Sequence, residues 1–383
     1  MTGREKIEAA FSENGAPEIP VIVPSGSIYI RDHWQELTSA PWWYQESPDI
    51  DHQMSWRRDV MTKTGQDWFV LPIGYSREDR ENISIVKQSD GTFRIDKRTG
   101  KKEKLIEPKI GGGLSEKEKV VSIHPDHIAR TLEEIDESIP ALPDSDPEEI
   151  AKDGRADLAA QLLREFGKDL YPVYFVRSPL WECYYLWGFE EMMLMIADRP
   201  DLVMHACERF LRTNVRRVRE AAVCGAAGIY INDCLSDLIS PESFKLLNVT
   251  YLRRLVEEIH MNGLKSFYFF YGNPAGRWEH ILSSGAYALA LEESKKDFSI
   301  DIEDDIVTKV QGRCVVLGNL DSIGILQNGT EEQLQAEIMR QIKAGRKNKG
   351  RFIMSLGSPV TPSTPVERVS LYCDLVHKLG NIQ

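Results

Sequence analysis

At 383 residues the chain is long enough for one large α/β barrel with insertions or for two smaller domains. Its 42% hydrophobic and 28% charged residues describe an ordinary globular protein, and a formal net charge of -12 without any basic block argues against a nucleic-acid partner. No apolar run reaches the roughly 18 residues of a membrane-spanning helix, and the opening Met-Thr-Gly-Arg-Glu-Lys alternates charges where a signal peptide would be apolar, so a cytoplasmic protein with no membrane partner is expected.

In chain order, residues 3 to 14 read as a short amphipathic helix. Glu18-Ile-Pro-Val-Ile-Val-Pro24 then reads as a first strand, ending in Ser25-Gly-Ser27. From Arg31 to Phe69 the chain is dense in aromatics: Trp34, Trp42, Trp43, Trp56 and Trp68 are five of its eight tryptophans, joined by Tyr44. Such a segment either caps a core or walls a pocket for a flat ligand, and because tryptophan mostly packs, capping is the expectation. Asp67-Trp-Phe-Val-Leu-Pro72 reads as a second strand. Ile83-Ser-Ile-Val-Lys87 and Thr92-Phe-Arg-Ile-Asp96, with Ser89-Asp-Gly91 between, carry the signal of a β-hairpin. The hairpin and a Lys-rich stretch around Gly111-Gly-Gly113, expected to be a mobile loop, form an insertion over 77–118. Residues 124 to 167 read as helices broken by Pro140, Pro143 and Pro147.

Leu170-Tyr-Pro-Val-Tyr-Phe-Val-Arg177 is a third strand. Beyond it, helices around 188–197, 200–224, 241–262, 275–284, 301–311 and 330–347 alternate with five short apolar runs. These are Gly228-Ile-Tyr-Ile-Asn-Asp233, Ser266-Phe-Tyr-Phe-Phe-Tyr-Gly-Asn-Pro274, Ala286-Tyr-Ala-Leu-Ala-Leu-Glu-Glu293, Cys314-Val-Val-Leu-Gly-Asn-Leu-Asp321 and Arg351-Phe-Ile-Met-Ser-Leu-Gly-Ser358, each closed by polar residues. Eight strands alternating with helices predict a single (β/α)8 TIM barrel spanning 1–383, with a doubly wound sheet as the alternative fold. In a barrel the polar ends converge on one mouth, where barrel enzymes place their chemistry.

Those ends supply the candidate site. Asp233 ends the fourth strand, with a helix cap as its structural alternative. Glu292 and Glu293 end the sixth; with Lys295 nearby, such a pair can split its pKa values, or it can be a surface ion-pair cluster. Only one of the two should enter the mouth, because neighbouring strand residues point to opposite faces. Tyr271 is placed to meet substrate through its hydroxyl, with a core tyrosine whose hydroxyl is satisfied as the alternative. Asn273 and Asn319 either orient substrate or close turns, Ser358 is a candidate donor, and Arg177 is either a grip for a carboxylate or phosphate or a member of a surface ion pair. The eight histidines show no His-x-His or His-x-x-x-His spacing, and the six cysteines no Cys-x-x-Cys pair, so these patterns give no metal site and no disulfide framework.

Together with these elements, several segments resemble the uroporphyrinogen decarboxylase superfamily, which groups the haem-pathway decarboxylase with methyltransferases that exchange methyl groups with a corrinoid protein. They are Arg4-Glu-Lys-Ile-Glu-Ala-Ala-Phe11 before Ile19-Pro-Val21, Asp198-Arg-Pro-Asp-Leu-Val203, Ile239-Ser-Pro-Glu-Ser-Phe244, the Gly272-Asn273 turn, Leu317-Gly-Asn-Leu-Asp321 and Gly357-Ser-Pro-Val-Thr-Pro-Ser-Thr-Pro365. The resemblance implies a TIM barrel and puts Asp233 at the acidic position that faces substrate. The zinc-dependent methyltransferases of the group carry a His-x-Cys pair before the Gly-Asn turn and a further Cys in the last βα loop; here Phe269, Tyr271 and Ser358 stand at those positions, so no zinc is expected and a thiol acceptor is disfavoured. The decarboxylase's Arg-Gln-Ala-Gly-Arg stretch is matched by Ser25-Gly-Ser-Ile-Tyr-Ile-Arg31, whose single guanidinium can grip one carboxylate but not many. The expected activity is therefore methyl transfer from a non-thiol small-molecule donor, an aromatic methyl ether, to a corrinoid (cobalamin) supplied by a partner protein. Arg31, Trp34, Arg177, Asn273, Asn319 and Ser358 would bind substrate, and Asp233, Glu292, Glu293 and Tyr271 would serve catalysis. A decarboxylase of a smaller carboxylated substrate and a non-catalytic ligand-binding barrel are the alternatives, with a homodimer as a candidate assembly.

Overall fold

A computed structural model of the chain describes residues 1–111, 123–140 and 146–381. Among the described residues ten strands follow one another: β1 (Trp68–Val70), β2 (Ile83–Gln88), β3 (Gly91–Asp96), β4 (Lys102–Leu105), β5 (Tyr171–Arg177), β6 (Gly228–Asp233), β7 (Lys265–Phe270), β8 (Ala288–Leu291), β9 (Val315–Leu317) and β10 (Phe352–Ile353). Seven of them form one parallel sheet in the order β1-β5-β6-β7-β8-β9-β10, and β2-β3-β4 form a separate antiparallel sheet. Helices connect the parallel strands, so the fold is the α/β barrel expected.

The eighth stave is shorter than predicted. Of Glu18–Pro24 only Val21 makes a bridge, parallel to Met354. Ile22 N–H donates to Met354 O at 2.9 Å, and Asp67 N–H donates to Val21 O at 2.8 Å, so the segment still joins β10 to β1. Pro20 and Pro24 remove ladder donors on either side. The remaining N–H groups find side chains instead: Val21 donates to Asp67 Oδ2 at 2.7 Å and Val23 to Gln66 Oε1 at 2.9 Å.

Alternation along each strand sorts the core into two layers. Inside the barrel, Trp68, Tyr230, Phe267 and Phe269 pack together, Tyr230 and Phe269 at 4.6 Å between ring centroids. The helix Gly3–Ala10 and Phe11 cover the amino-terminal end, Phe11 lying edge-on to Phe267 at 5.3 Å. Outside, Ile229, Ile231, Tyr268, Phe270, Leu289 and Leu291 face the helices.

The hairpin is present, with Gln88 paired to Gly91 across its turn. Part of the expected Lys-rich loop is instead a third strand, β4, antiparallel to β3. Its lysines serve the sheet: Lys102 Nζ lies 3.9 Å over the Phe93 ring, shielding it from water. Gly112 and Gly113 lie outside the described residues.

Candidate active site at the barrel mouth

The carboxyl ends of the strands open on a cavity of about 520 Å³. Seven aromatic residues contribute to its walls: Trp68 and Phe69 from β1, Phe175 from β5 and Tyr230 from β6, with Trp56 on the helix Ile50–Thr64 and Trp181 and Tyr185 on the helix Pro179–Asp198. The aromatic segment therefore divides its work. Trp34 is core: it is buried, its indole N–H donates to Ala40 O at 2.8 Å, and it packs 5.4 Å from Trp56, which reaches the cavity. Arg31 is absent from the cavity wall; its Nε and Nη2 hold Asp32 at 2.7 and 3.0 Å, and Asp32 also accepts Gly111 N–H.

Asp233 does not face the mouth. Counting along β6, Tyr230 and Asn232 point inward, so Asp233 points into the layer between strands and helices. There its carboxylate is fully buried and accepts four hydrogen bonds, from Ser178 Oγ (2.7 Å), Ser236 Oγ (3.0 Å), Asn248 Nδ2 (2.6 Å) and Tyr268 Oη (2.6 Å). Burial raises its pKa and these donors pull it back down. Ser178 also caps the helix that carries Trp181 and Tyr185, accepting Trp181 N–H at 3.2 Å, so Asp233 positions a cavity wall rather than touching the cavity. Asn232 occupies the inward place, lining the cavity with no partner for its Oδ1 among the described residues. The period-two pattern of β6, starting from Tyr230, carries that signal in the sequence.

The two glutamates are brought together with Lys295 and Ser358. Lys295 Nζ lies 2.6 Å from Glu293 Oε1 and 3.9 Å from Glu292 Oε1, and it donates to Ser358 Oγ at 2.5 Å; Ser358 donates to Glu293 Oε2 at 2.9 Å. Glu293 is buried, while Glu292 keeps some exposure and accepts Gly272 N–H at 3.0 Å. Burial raises the pKa of Glu292, Lys295 lowers it, and the adjacent Glu293 raises it again.

Tyr271, Asn273, Glu292, Glu293, Asn319 and Ser358 are absent from the cavity wall, and Tyr271 links that wall to this cluster. Its hydroxyl lies 3.3 Å from Ser25 Oγ on the cavity wall, and its backbone runs straight into the Gly272 that Glu292 holds. Burial and the neighbouring Tyr230 push its pKa well up. Asn273 closes the turn: its N–H donates to Asp237 Oδ2 at 3.1 Å and its Oδ1 accepts Ala275 N–H. Asn319 is buried and donates to Glu292 O at 3.2 Å, so it sets the backbone of the acid.

Some residues at the mouth escaped sequence reasoning. Cys234 is the least buried of the six cysteines, and burial together with Asp233, Glu292 and Asp237 raises its pKa, which keeps it a thiol. Arg57 lines the cavity, stacked 4.0 Å over Trp56. Its Nη1 donates to Gln53 O and Oε1, and burial alone lowers its pKa to about 9. Arg177, a candidate already in the sequence, lines the cavity too, 4.4 Å over Tyr185, with Glu182 as a distant ion partner at 3.7 Å. At the expected zinc positions, Phe269 is buried among barrel rings, and no group of three or more His, Cys, Asp or Glu placed to hold a metal ion occurs among the described residues.

A profile of the family described as uroporphyrinogen decarboxylase (URO-D) matches residues 107–379. The chain belongs to this family. Among curated members, the uroporphyrinogen decarboxylase of Coxiella burnetii is 25% identical over 189 residues, 49% of this chain and 50% of that one. The decarboxylase of a Janthinobacterium species is 24% identical over 237 residues, 58% and 63% of the two chains. The chain thus spans about half to two thirds of the length of these decarboxylases. A methyltransferase from Methanosarcina mazei superposes over 99% of both chains with a TM-score of 0.66 at 16% identity, which shows a shared fold. No helix among the described residues is long and apolar enough to cross a membrane.

Proposed function

We propose that this member of the uroporphyrinogen decarboxylase family is a methyltransferase that takes a methyl group from an aromatic methyl ether and passes it to the corrinoid of a separate protein. The observation that carries this reading is the cavity itself: about 520 Å³, with seven aromatic residues in its lining, and with Ser25 of its wall 3.3 Å from the hydroxyl of Tyr271, the residue before the Gly272 whose N–H Glu292 accepts. That volume suits a small molecule, and flat walls favour a flat ligand. A tetrapyrrole with its many carboxylates calls for more cationic partners than Arg57 and Arg177.

In this reaction the ether carbon–oxygen bond breaks with its electron pair left on the phenolate oxygen. The methyl carbon takes its new pair from reduced cobalt of the partner's corrinoid, which is a co-substrate. Glu292, kept protonated towards neutral pH by burial, supplies the proton, and Tyr271 orients the leaving oxygen.

Decarboxylation is the second reading, favoured by the unneutralised Arg57, which would hold a carboxylate, and by the acid that would protonate the resulting carbanion. The test incubates the protein with a cobalt(I) corrinoid protein and a panel of methoxybenzoates and methoxyphenols, following the absorbance change of cobalt methylation. Methylation supports the proposal. Carbon dioxide release without methylation moves the assignment to the decarboxylase, and tight binding with neither reaction to a ligand-binding barrel.

A further inference from the structure

Arg57 differs from the arginines around it. Arg58 is held by Glu165 at 2.6 and 2.8 Å, Arg80 by Asp157 at 2.5 Å and Arg94 by Glu46 at 2.6 Å. Arg57 has no such carboxylate among the described residues: its only hydrogen-bond acceptors are the two oxygens of Gln53, both taken by Nη1. A guanidinium keeps its proton at neutral pH, so the cavity wall carries a positive charge that the protein does not neutralise. Desolvating such a charge is costly unless an anion joins it.

A second, independent observation lies beside it. Trp56 is only 7% exposed and lines the same cavity, yet its indole N–H has no acceptor among the described residues. The Arg57 guanidinium rests on the Trp56 ring at 4.0 Å, which holds the fork flat and leaves its Nε and Nη2 without acceptors among the described residues. Two unsatisfied donor groups on successive residues thus meet on one wall of an aromatic cavity.

We infer that Arg57 and Trp56 form a carboxylate clamp, and that the ligand of the mouth cavity is an aromatic carboxylate. The carboxylate accepts from the Arg57 fork and the Trp56 N–H, and its ring lies among Trp68, Phe175, Tyr185 and Tyr230. Arg57 also borders a smaller cavity of about 300 Å³ beside Gln53, Tyr75 and Arg80. Trp56 lines only the larger one, which assigns the anion there. Naming the methyl donor as a methoxybenzoate rests on the methyl-transfer reading; the clamp itself does not.

The experiment titrates the full chain calorimetrically with 3-methoxybenzoate and with its neutral counterpart 3-methoxybenzamide. The acid should bind at least about tenfold more tightly than the amide. Arg57→Gln should weaken the acid by about ten- to a hundredfold and the amide by less than about threefold. Arg57→Lys, which keeps the charge and loses the fork, should fall between the wild type and Arg57→Gln, and it serves if Arg57→Gln does not fold. Equal affinity for acid and amide, or equal acid affinity in the wild type and a folded Arg57 variant, overturns the clamp. Arg57-dependent binding without cobalt methylation removes the methyl-transfer reading and keeps the clamp. Methylation from neutral ethers that is unchanged in Arg57→Gln does the reverse.

Discussion

Tyr268 donates its hydroxyl to Asp233 Oδ2 at 2.6 Å on the helix-facing side of two adjacent strands. That bond, with those from Ser178, Ser236 and Asn248, makes Asp233 a strut between the sheet and the helix Pro179–Asp198. Asp233→Ala should lower unfolding stability by about 3 kcal/mol or more, because buried donors lose their acceptor, and Asp233→Asn by about 1–2 kcal/mol. The pH dependence has a definite sign. Because burial raises the folded-state pKa of Asp233 above its unfolded value, its contribution is fully present below the unfolded value and lost as pH rises through the raised one. Urea unfolding of both variants across that window checks this, and Asp233→Asn should lack the loss. An unchanged stability with abolished turnover would return Asp233 to the catalytic group.

Glu292 predicts an alkaline limb in the rate. Its raised pKa keeps it protonated further towards neutral pH, and the proton-dependent step fails as pH rises through that value. Glu292→Gln should cost about a hundredfold in kcat and flatten the limb. Lys295 holds the pKa down, so Lys295→Met should move the limb to higher pH. A limb that stays in place in both variants sinks the assignment of Glu292 as the proton donor.

How legible was this in the sequence? The staves were, because short apolar runs closed by Gly, Asn and Pro have few other readings, and β6, β8, β9 and β10 lie within the predicted segments while β7 starts one residue early, at Lys265. The first stave was overdrawn because its prolines leave too few ladder donors, which side chains then replace. Glu292, Glu293, Lys295 and Ser358 converge from two βα loops as strand-end counting suggested. Strand-end position alone points Asp233 at the mouth, but alternation along β6 gives the inward place to its neighbour Asn232. Arg57 was beyond reach: it sits in an ordinary amphipathic helix, and only the docking of that helix over the mouth leaves one of its two adjacent arginines without an acid.

Metal content gives a further prediction. Phe269 has no donor atom and is packed 4.6 Å from Tyr230, and Tyr271 and Ser358 offer neutral hydroxyls in place of thiolates. Purified protein should contain no stoichiometric zinc by elemental analysis. About one tightly held zinc per chain would require ligands other than these three.

The turn after β7 is the last test, and it isolates how the acids are held. Gly272 has φ +110°, a conformation that side chains resist, and a Cβ built there would lie 2.2 Å from Asp237 Cγ. Both neighbouring N–H groups are committed, Gly272 to Glu292 Oε2 and Asn273 to Asp237 Oδ2. Gly272→Ala should therefore displace Asp237 from Asn273 and strain the turn, costing about 1–3 kcal/mol of stability. It should also lower turnover, because Glu292 loses the N–H that aims it. Backbone strain and side-chain clash can be separated by repeating the substitution in Asp237→Ala, where the clash is gone and the strain remains. The cost of Gly272→Ala should then fall but not vanish. An equal cost in both backgrounds would mean that Asp237 yields freely, and that the turn is held by Glu292 alone.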